Sequence, residues 1–256
     1  SASPLLYMGL ARKVGGLGLY GFWDNTLYAE LSFYRTTRQG VFSPLSAGVP
    51  TDTVVDGYAP YWHVMYNREM HPHNFAVGAH GMTTDVLRVA ADAGSGTDRY
   101  RDLSLDAQYQ YLGDDHIITA DATWTREKRE WNASFPAGTA SNPSGLLRAV
   151  KMNVHYWYQR RVGGGIGRFT TWGNSDMLKY GMSDEAKAMG NATGSPDTRG
   201  WTVELNYLPL KDVQTLKLGL RYTRYDKFNG AKSDYNGFGR DAADNNTTFL
   251  YAWLLF

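Results

Sequence analysis

The sequence predicts an all-β protein: an antiparallel up-and-down transmembrane β-barrel of about twelve strands, or the C-terminal part of a larger one, with 1–256 forming a single domain. Three observations carry this. Segments with alternating apolar and polar residues recur along the whole chain, as in Trp201, Val203, Leu205 and Tyr207 against Thr202, Glu204 and Asn206. The connections between them alternate short and long, as a barrel with tight periplasmic turns and long outer loops requires. The last segment, Thr247 to Phe256, ends in a cluster of large apolar side chains, expected of a closing strand buried between neighbours and facing lipid.

Taken in order, strands are expected near 15–23, 26–36, 58–69, 74–90, 101–112, 116–131, 147–161, 165–178, 200–209, 214–227 and 247–256. Their count is odd, and bacterial barrels are usually even, so the apolar Leu5 to Lys13 is the candidate for an additional strand. Tight turns are expected at Asp24-Asn25, His71-Pro72-His73, Gly113-Asp114-Asp115, Val162-Gly163-Gly164 and Leu210 to Val213, each rich in turn-forming residues. Long polar connections are expected at 37–57, 91–100, 132–146, 179–199 and 228–246. The final strand breaks the alternation, being apolar on both faces; an interior plug or an N-terminal segment packed against the wall would account for that. Phe249, Tyr251, Trp253 and Phe256 are its expected closure residues.

Composition agrees with a wet-cored barrel. Aromatic residues make up 14%, with 18 Tyr and 8 Trp, yet the mean hydropathy is −0.44. No apolar run is long enough for a membrane-spanning helix, whereas a β-span needs only about ten residues with alternate ones apolar. Cysteine is absent, which removes disulfides, thiolate metal sites and covalent haem attachment within this chain. A net charge of +1 offers no nucleic-acid footprint. No secretory leader is read at Ser1–Pro4, so the sequence is expected to be a mature chain or a portion of a longer one.

The polar strand faces supply the candidate functional residues. Glu30, His63, His80, Asp106, Asp121, Lys151, His155, Arg168, Glu204, Lys217 and Arg221 are expected to face the lumen, because a Lys or Arg facing lipid at mid-membrane costs about 2–4 kcal/mol. Their mixed signs predict weak ion selectivity. His71-Pro72-His73 is expected to be a turn and no metal site is expected; lumen histidines could serve as axial haem ligands or as ordinary wall polarity. Gly163-Gly164-Gly165-x-Gly167 lacks the Lys-Ser/Thr of a phosphate loop and is expected to make a hairpin turn. The acidic stretches do not have calcium-loop spacing. No catalytic constellation stands out, and no enzymatic role is expected. Trp23, Tyr61, Trp62, Trp131, Trp157, Trp172 and Trp201 are candidates for interface girdles. Arginine at Val203 or Leu218 should impair insertion, whereas at Asn206 it should be tolerated.

Several stretches carry a family resemblance: Gly21–Thr36 (GFWDNTLYAELSFYRT), Gly57–Glu69 (GYAPYWHVMYNRE), Thr97–Leu112 (TDRYRDLSLDAQYQYL), Ser195–Pro209 (SPDTRGWTVELNYLP) and Arg224–Phe256. Together they resemble the barrel region of bacterial outer-membrane fused cytochrome-porin proteins, often labelled cytochrome c, in which a small N-terminal haem-binding segment precedes a porin-like barrel. The resemblance implies an outer-membrane location, further strands upstream and a conduit for electron transfer across the outer membrane. That family's haem segment carries Cys-x-x-Cys-His, which this sequence lacks, so any haem would sit on a missing N-terminal segment or a partner cytochrome. The expected partners are the lipid bilayer and such a cytochrome. Two other functions fit the same residues: a plain diffusion porin for small solutes or ions, and a soluble β-sandwich carbohydrate-binding module using Tyr and Trp for sugar stacking.

Overall fold

In a computed structural model, which describes residues 2–7, 10, 14–36, 53–181, 190–209 and 216–254, all strands belong to one antiparallel sheet. They are β1 (Val14–Trp23), β2 (Leu27–Thr36), β3 (Val55–Asp56), β4 (Ala59–Met70), β5 (His73–Val89), β6 (Asp92–Leu112), β7 (His116–Glu130), β8 (Ser144–Tyr158), β9 (Val162–Gly173), β10 (Thr198–Tyr207), β11 (Leu216–Lys227) and β12 (Thr247–Leu254). Each pairs with its sequence neighbour, except that β3 sits off the path and pairs with β5. This is the up-and-down order expected, and a single sheet excludes the two stacked sheets of a sandwich. Among the described residues no pairing joins β1 to β12, and both edges are open: Leu19 and Tyr20, on opposite faces of β1, are 84% and 77% exposed.

Period-two alternation sorts the side chains into an apolar outer face and a polar inner face. Along β10 the exposed Trp201, Val203, Leu205 and Tyr207 alternate with Glu204 and Asn206, which are only 7% and 5% exposed. Cross-strand register carries the outer face onward, Val203 lying opposite Ile166 and Tyr222, and Leu205 opposite Leu220.

Four expectations are corrected. Leu5–Tyr7 is a 3-10 helix rather than part of a strand; the backbone amides of Leu5 and Leu6 donate to Glu127 Oε2 (2.6 Å) and Asp102 Oδ2 (3.0 Å) on the inner face. Leu10, from the same segment, joins Val55, Ala59 and Met82 in a small apolar core against the wall. The stretch 91–100 is strand, not loop. Strands β5 and β6 run on for 17 and 21 residues to a two-residue turn, so their hairpin overshoots the roughly ten residues needed to cross a bilayer. At about 3.3 Å per residue the excess is on the order of 20 Å.

The glycine run is likewise strand. The turn before it falls at Gln159 and Arg160, both with positive φ, and Val162–Gly173 is β9. On its inner face Gly163, Gly165 and Gly167 have no side chain because Trp157, His155 and Asn153 of β8 lie across them; a Cβ at any of the three would overlap those groups. Strand β9 also stops at Gly173, and Met177–Tyr180 form a short helix, α1, where strand was expected to continue. The expected turn at Leu210 to Val213 and the closure residue Phe256 lie outside the described residues.

Candidate functional site: the polar inner wall

The inner wall is built by register. Glu30 lies opposite His63, His63 opposite His80, His80 opposite Ser104, and Asp106 opposite Thr123; Asp121 faces Asn153, Lys151 faces Thr123, and His155 faces Gly165. Glu204 lies opposite Arg221, and Lys217 opposite Trp253. Ten of the eleven residues expected in the lumen thus share one face.

Arg168 does not. It lies opposite Trp201, on the outer face with Ile166 and Val203, its guanidinium 4.5 Å from the Trp201 ring centroid. It survives there by pairing: Nη1 donates to Asp226 Oδ2 at 2.7 Å, and Arg224 Nε lies 3.5 Å from the same carboxylate's other oxygen. The outer face shows why. Along β6 it changes from Leu105 and Leu103 to Arg101 and Arg99, and on β7, opposite Leu105, Leu103, Arg101 and Arg99, stand Trp124, Arg126, Lys128 and Glu130. Arg99 is bidentate to Asp85 (2.8 and 2.9 Å), and Glu130 accepts from Arg101 (3.2 Å) and Lys128 (2.8 Å). With Arg148, opposite both Arg126 and Trp172, these charges trace a belt across the outer face towards the long-connection end. Strand tilt sets such a boundary diagonally across the strands. No single strand reveals it, because Arg168 alternates correctly for either face if Gly163–Gly167 is read as a turn.

The inner charges are compensated at short range. Glu204 accepts from Arg221 Nε (2.7 Å), Asn206 (2.9 Å) and the Tyr251 hydroxyl (3.0 Å), with Lys217 Nζ 3.7 Å away. Tyr251 reaches it from β12 because Gly219, directly opposite, leaves its ring a bed. This explains the final strand. Phe249, Tyr251 and Trp253 face inward, with Phe249 and Tyr251 stacked at 5.6 Å, and β12 pairs only with β11 among the described residues. It also corrects Asn206: buried and bonded to both Glu204 and Tyr251, it is a poor place for arginine. Lys151, Asn153, His155, Thr202, Glu204 and Arg221 line a wall concavity of about 210 Å³. Asn153 donates to Asp121 Oδ2 at 2.7 Å.

A second cluster occupies β2, β4, β5 and β6. His80 Nδ1 is 3.0 Å and His63 Nε2 3.9 Å from Asp106 Oδ1. Beside them Glu30 accepts from Tyr28 (2.8 Å) and Ser32 (2.6 Å), and the Tyr61 ring packs 6.1 Å from that of His80. Two girdle candidates, Tyr61 and Trp157, therefore belong to the inner wall rather than to the bilayer interface.

At the long-connection end a third network ties loops to the wall. Buried Glu127 pairs with Arg129, which also donates to the Tyr180 hydroxyl, and the Ser3 carbonyl lies 3.5 Å from Arg129 Nη2. Asp98 accepts from the Ala133 and Ser134 amides (3.0 and 2.9 Å), and Lys179 Nζ donates to Ser134 Oγ (2.7 Å). Trp131, another girdle candidate, is buried here with Lys179 Nζ 4.1 Å above its ring. Asp176 caps α1 and accepts from Ser141 N at 3.0 Å. Burial raises its pKa, but the amides of Ser141, Lys179 and Asn142 outweigh that and hold the carboxyl below its ordinary value. Burial pushes the Lys179 ammonium down, partly offset by Asp98 and Asp176.

No family model and no curated protein matches the chain. Among solved structures it is similar to BauA, the ferric preacinetobactin receptor from Acinetobacter baumannii, at 11% identity and a TM-score of 0.44, covering 93% of this chain and 43% of that one. It is also similar to the copper transporter OprC, at 11% identity and 0.43, covering 93% and 41%. The chain spans less than half the length of either. At this distance the fold rests on its own strand order and register.

Proposed function

We propose that this chain forms the wall of a porin-like β-barrel in the bacterial outer membrane. One observation carries the reading: a meander whose exposed outer face is apolar up to a belt of ion pairs, while its inner face is polar and nearly charge-compensated. A lipid-facing wall needs the first, because unpaired charge is expensive in hydrocarbon, and a wet interior needs the second. Since the inner charges neutralise one another locally, the conduit should be weakly selective.

The finer role is electron transfer across the outer membrane, with the barrel housing or supporting a haem-bearing segment. The family resemblance of Gly21–Thr36, Gly57–Glu69, Thr97–Leu112, Ser195–Pro209 and Arg224–Phe256 supports it. This chain's own residues do not fit a covalent haem, having no cysteine. Nor do His63 and His80 make an axial pair: their rings lie edge to face 5.3 Å apart on neighbouring strands of one wall, with no room for a macrocycle between them. Haem would therefore reside on another segment or a partner. Native outer membranes should yield this chain together with a Soret band in one heat-modifiable complex. A conducting complex without haem would leave the plain diffusion porin as its function, and a chain monodisperse without amphiphile would remove the membrane reading altogether.

A further inference from the structure

We propose that His63, His80 and Asp106 form a binding site for one divalent transition-metal ion of the zinc or copper type, on the inner wall. A ligand atom from each, the two imidazole nitrogens and a carboxylate oxygen, lies within 4.8 Å of the other two. Around a tetrahedral ion with bonds of about 2.0–2.2 Å, ligand atoms stand roughly 3.3 Å apart. The His80–Asp106 separation of 3.0 Å and the His63–Asp106 separation of 3.9 Å bracket that value, and the imidazole nitrogens lie within 4.8 Å of each other, so closure needs side-chain shifts on the order of 1 Å.

Two features of the wall favour an ion over a chance meeting of polar groups. His63 Nε2 is shielded from solvent and has no hydrogen-bond partner among the described residues, an arrangement that costs about 1–3 kcal/mol unless something fills it. Asp106 reaches the histidines across Gly78 of β5, where a Cβ would stand 2.8 Å from its Oδ2. A side chain at that position would push the carboxylate away. The histidines face each other directly across the β4–β5 ladder, fixing their spacing through the backbone.

The donor set decides the class of ion. Two imidazoles and one carboxylate suit zinc, copper, nickel or ferrous iron, and are too few and too soft for calcium or magnesium, which prefer all-oxygen shells. The three side chains remain 20–26% exposed, so solvent or a lumen solute can take the remaining coordination position. The site goes beyond the conduit reading and does not depend on it.

The test is titration of the detergent-solubilised, untagged full chain with Zn²⁺, and separately Co²⁺ as an absorbing reporter. One ion should bind per chain, with nitrogen-ligated cobalt bands, and excess Mg²⁺ should not displace it. His63→Gln and His80→Gln should each weaken binding at least about 10-fold, while His155→Gln, elsewhere on the same wall, should leave it unchanged. Each variant must retain the heat-dependent gel mobility of the parent; if a histidine variant loses it, Asp106→Asn replaces that variant in the comparison. Zn²⁺ affinity unaltered by these changes, or lost equally in His155→Gln, overturns the site. Because binding is read in detergent, that result leaves the conduit proposal standing.

Discussion

Arginine at Val203 offers the sharpest energetic test of the two-faced wall. Val203 is the sixth residue of the ten in β10, flanked across the ladder by Ile166 and Tyr222, with no acidic side chain opposite it on the outer face. That is mid-wall, away from the belt that rescues Arg168. Its cost should approach the mid-membrane value of about 2–4 kcal/mol. At about 1.4 kcal/mol per factor of ten, this reduces the folding equilibrium constant roughly 30- to 1,000-fold. Gln108→Arg is the matched control: exposed on the inner face opposite Asp121, it should change stability by less than about 0.5 kcal/mol. Reversible urea titration into lipid vesicles, read by gel mobility and tryptophan fluorescence, measures both. Equal costs at the two positions would refute the face assignment.

Three further outcomes are expected. Gly219→Ala should displace the Tyr251 ring and cost about 1–3 kcal/mol by overpacking, with Tyr251→Phe keeping the ring and losing only the hydroxyl's contacts with Glu204 and Asn206; the same urea titration ranks them. Glu127→Ala strands the buried Arg129 and should cost about 3–5 kcal/mol, while freeing the Leu5 amide; faster exchange of N-terminal amides would report the second effect. The Asp176 carboxyl, depressed when folded, stabilises the loop fully above its ordinary pKa of 3.8 and loses that contribution as pH falls through the depressed value; Asp176→Asn should flatten acid-induced proteolysis of 131–181 in this range.

The wall was legible in the sequence wherever a strand alternates cleanly, as in 101–112 and 200–209, since a period of two needs no tertiary knowledge. Legibility failed where a residue's role depends on its neighbour across the ladder. The glycines at 163, 165 and 167 look like turn residues until the β8 side chains that lie over them are known. Polar residues at 91–100 look like loop because the inner face of the projecting hairpin packs through buried polar groups such as Asp98, bonded to the Ala133 and Ser134 amides, which removes the apolar half of the pattern. Arg168 falls on the wrong face when the glycines before it are read as a turn, and its partner Asp226 is 58 residues away. The two histidines and the aspartate of the metal proposal are each readable as inner-wall residues, but their convergence depends on the register of three strands and on Gly78. The inward aromatics of the last strand depended on Gly219 in the same way.

The absence of cysteine makes the central claim directly measurable, because a single introduced thiol carries one spin label without background. Labels placed in turn at 151 to 156 in lipid vesicles should alternate in accessibility: to oxygen, which concentrates in hydrocarbon, at 152, 154 and 156, and to a water-soluble relaxation agent at 151, 153 and 155. A profile without that two-residue period, or with water reaching both sets equally, would contradict a wall that has lipid on one side and a wet interior on the other.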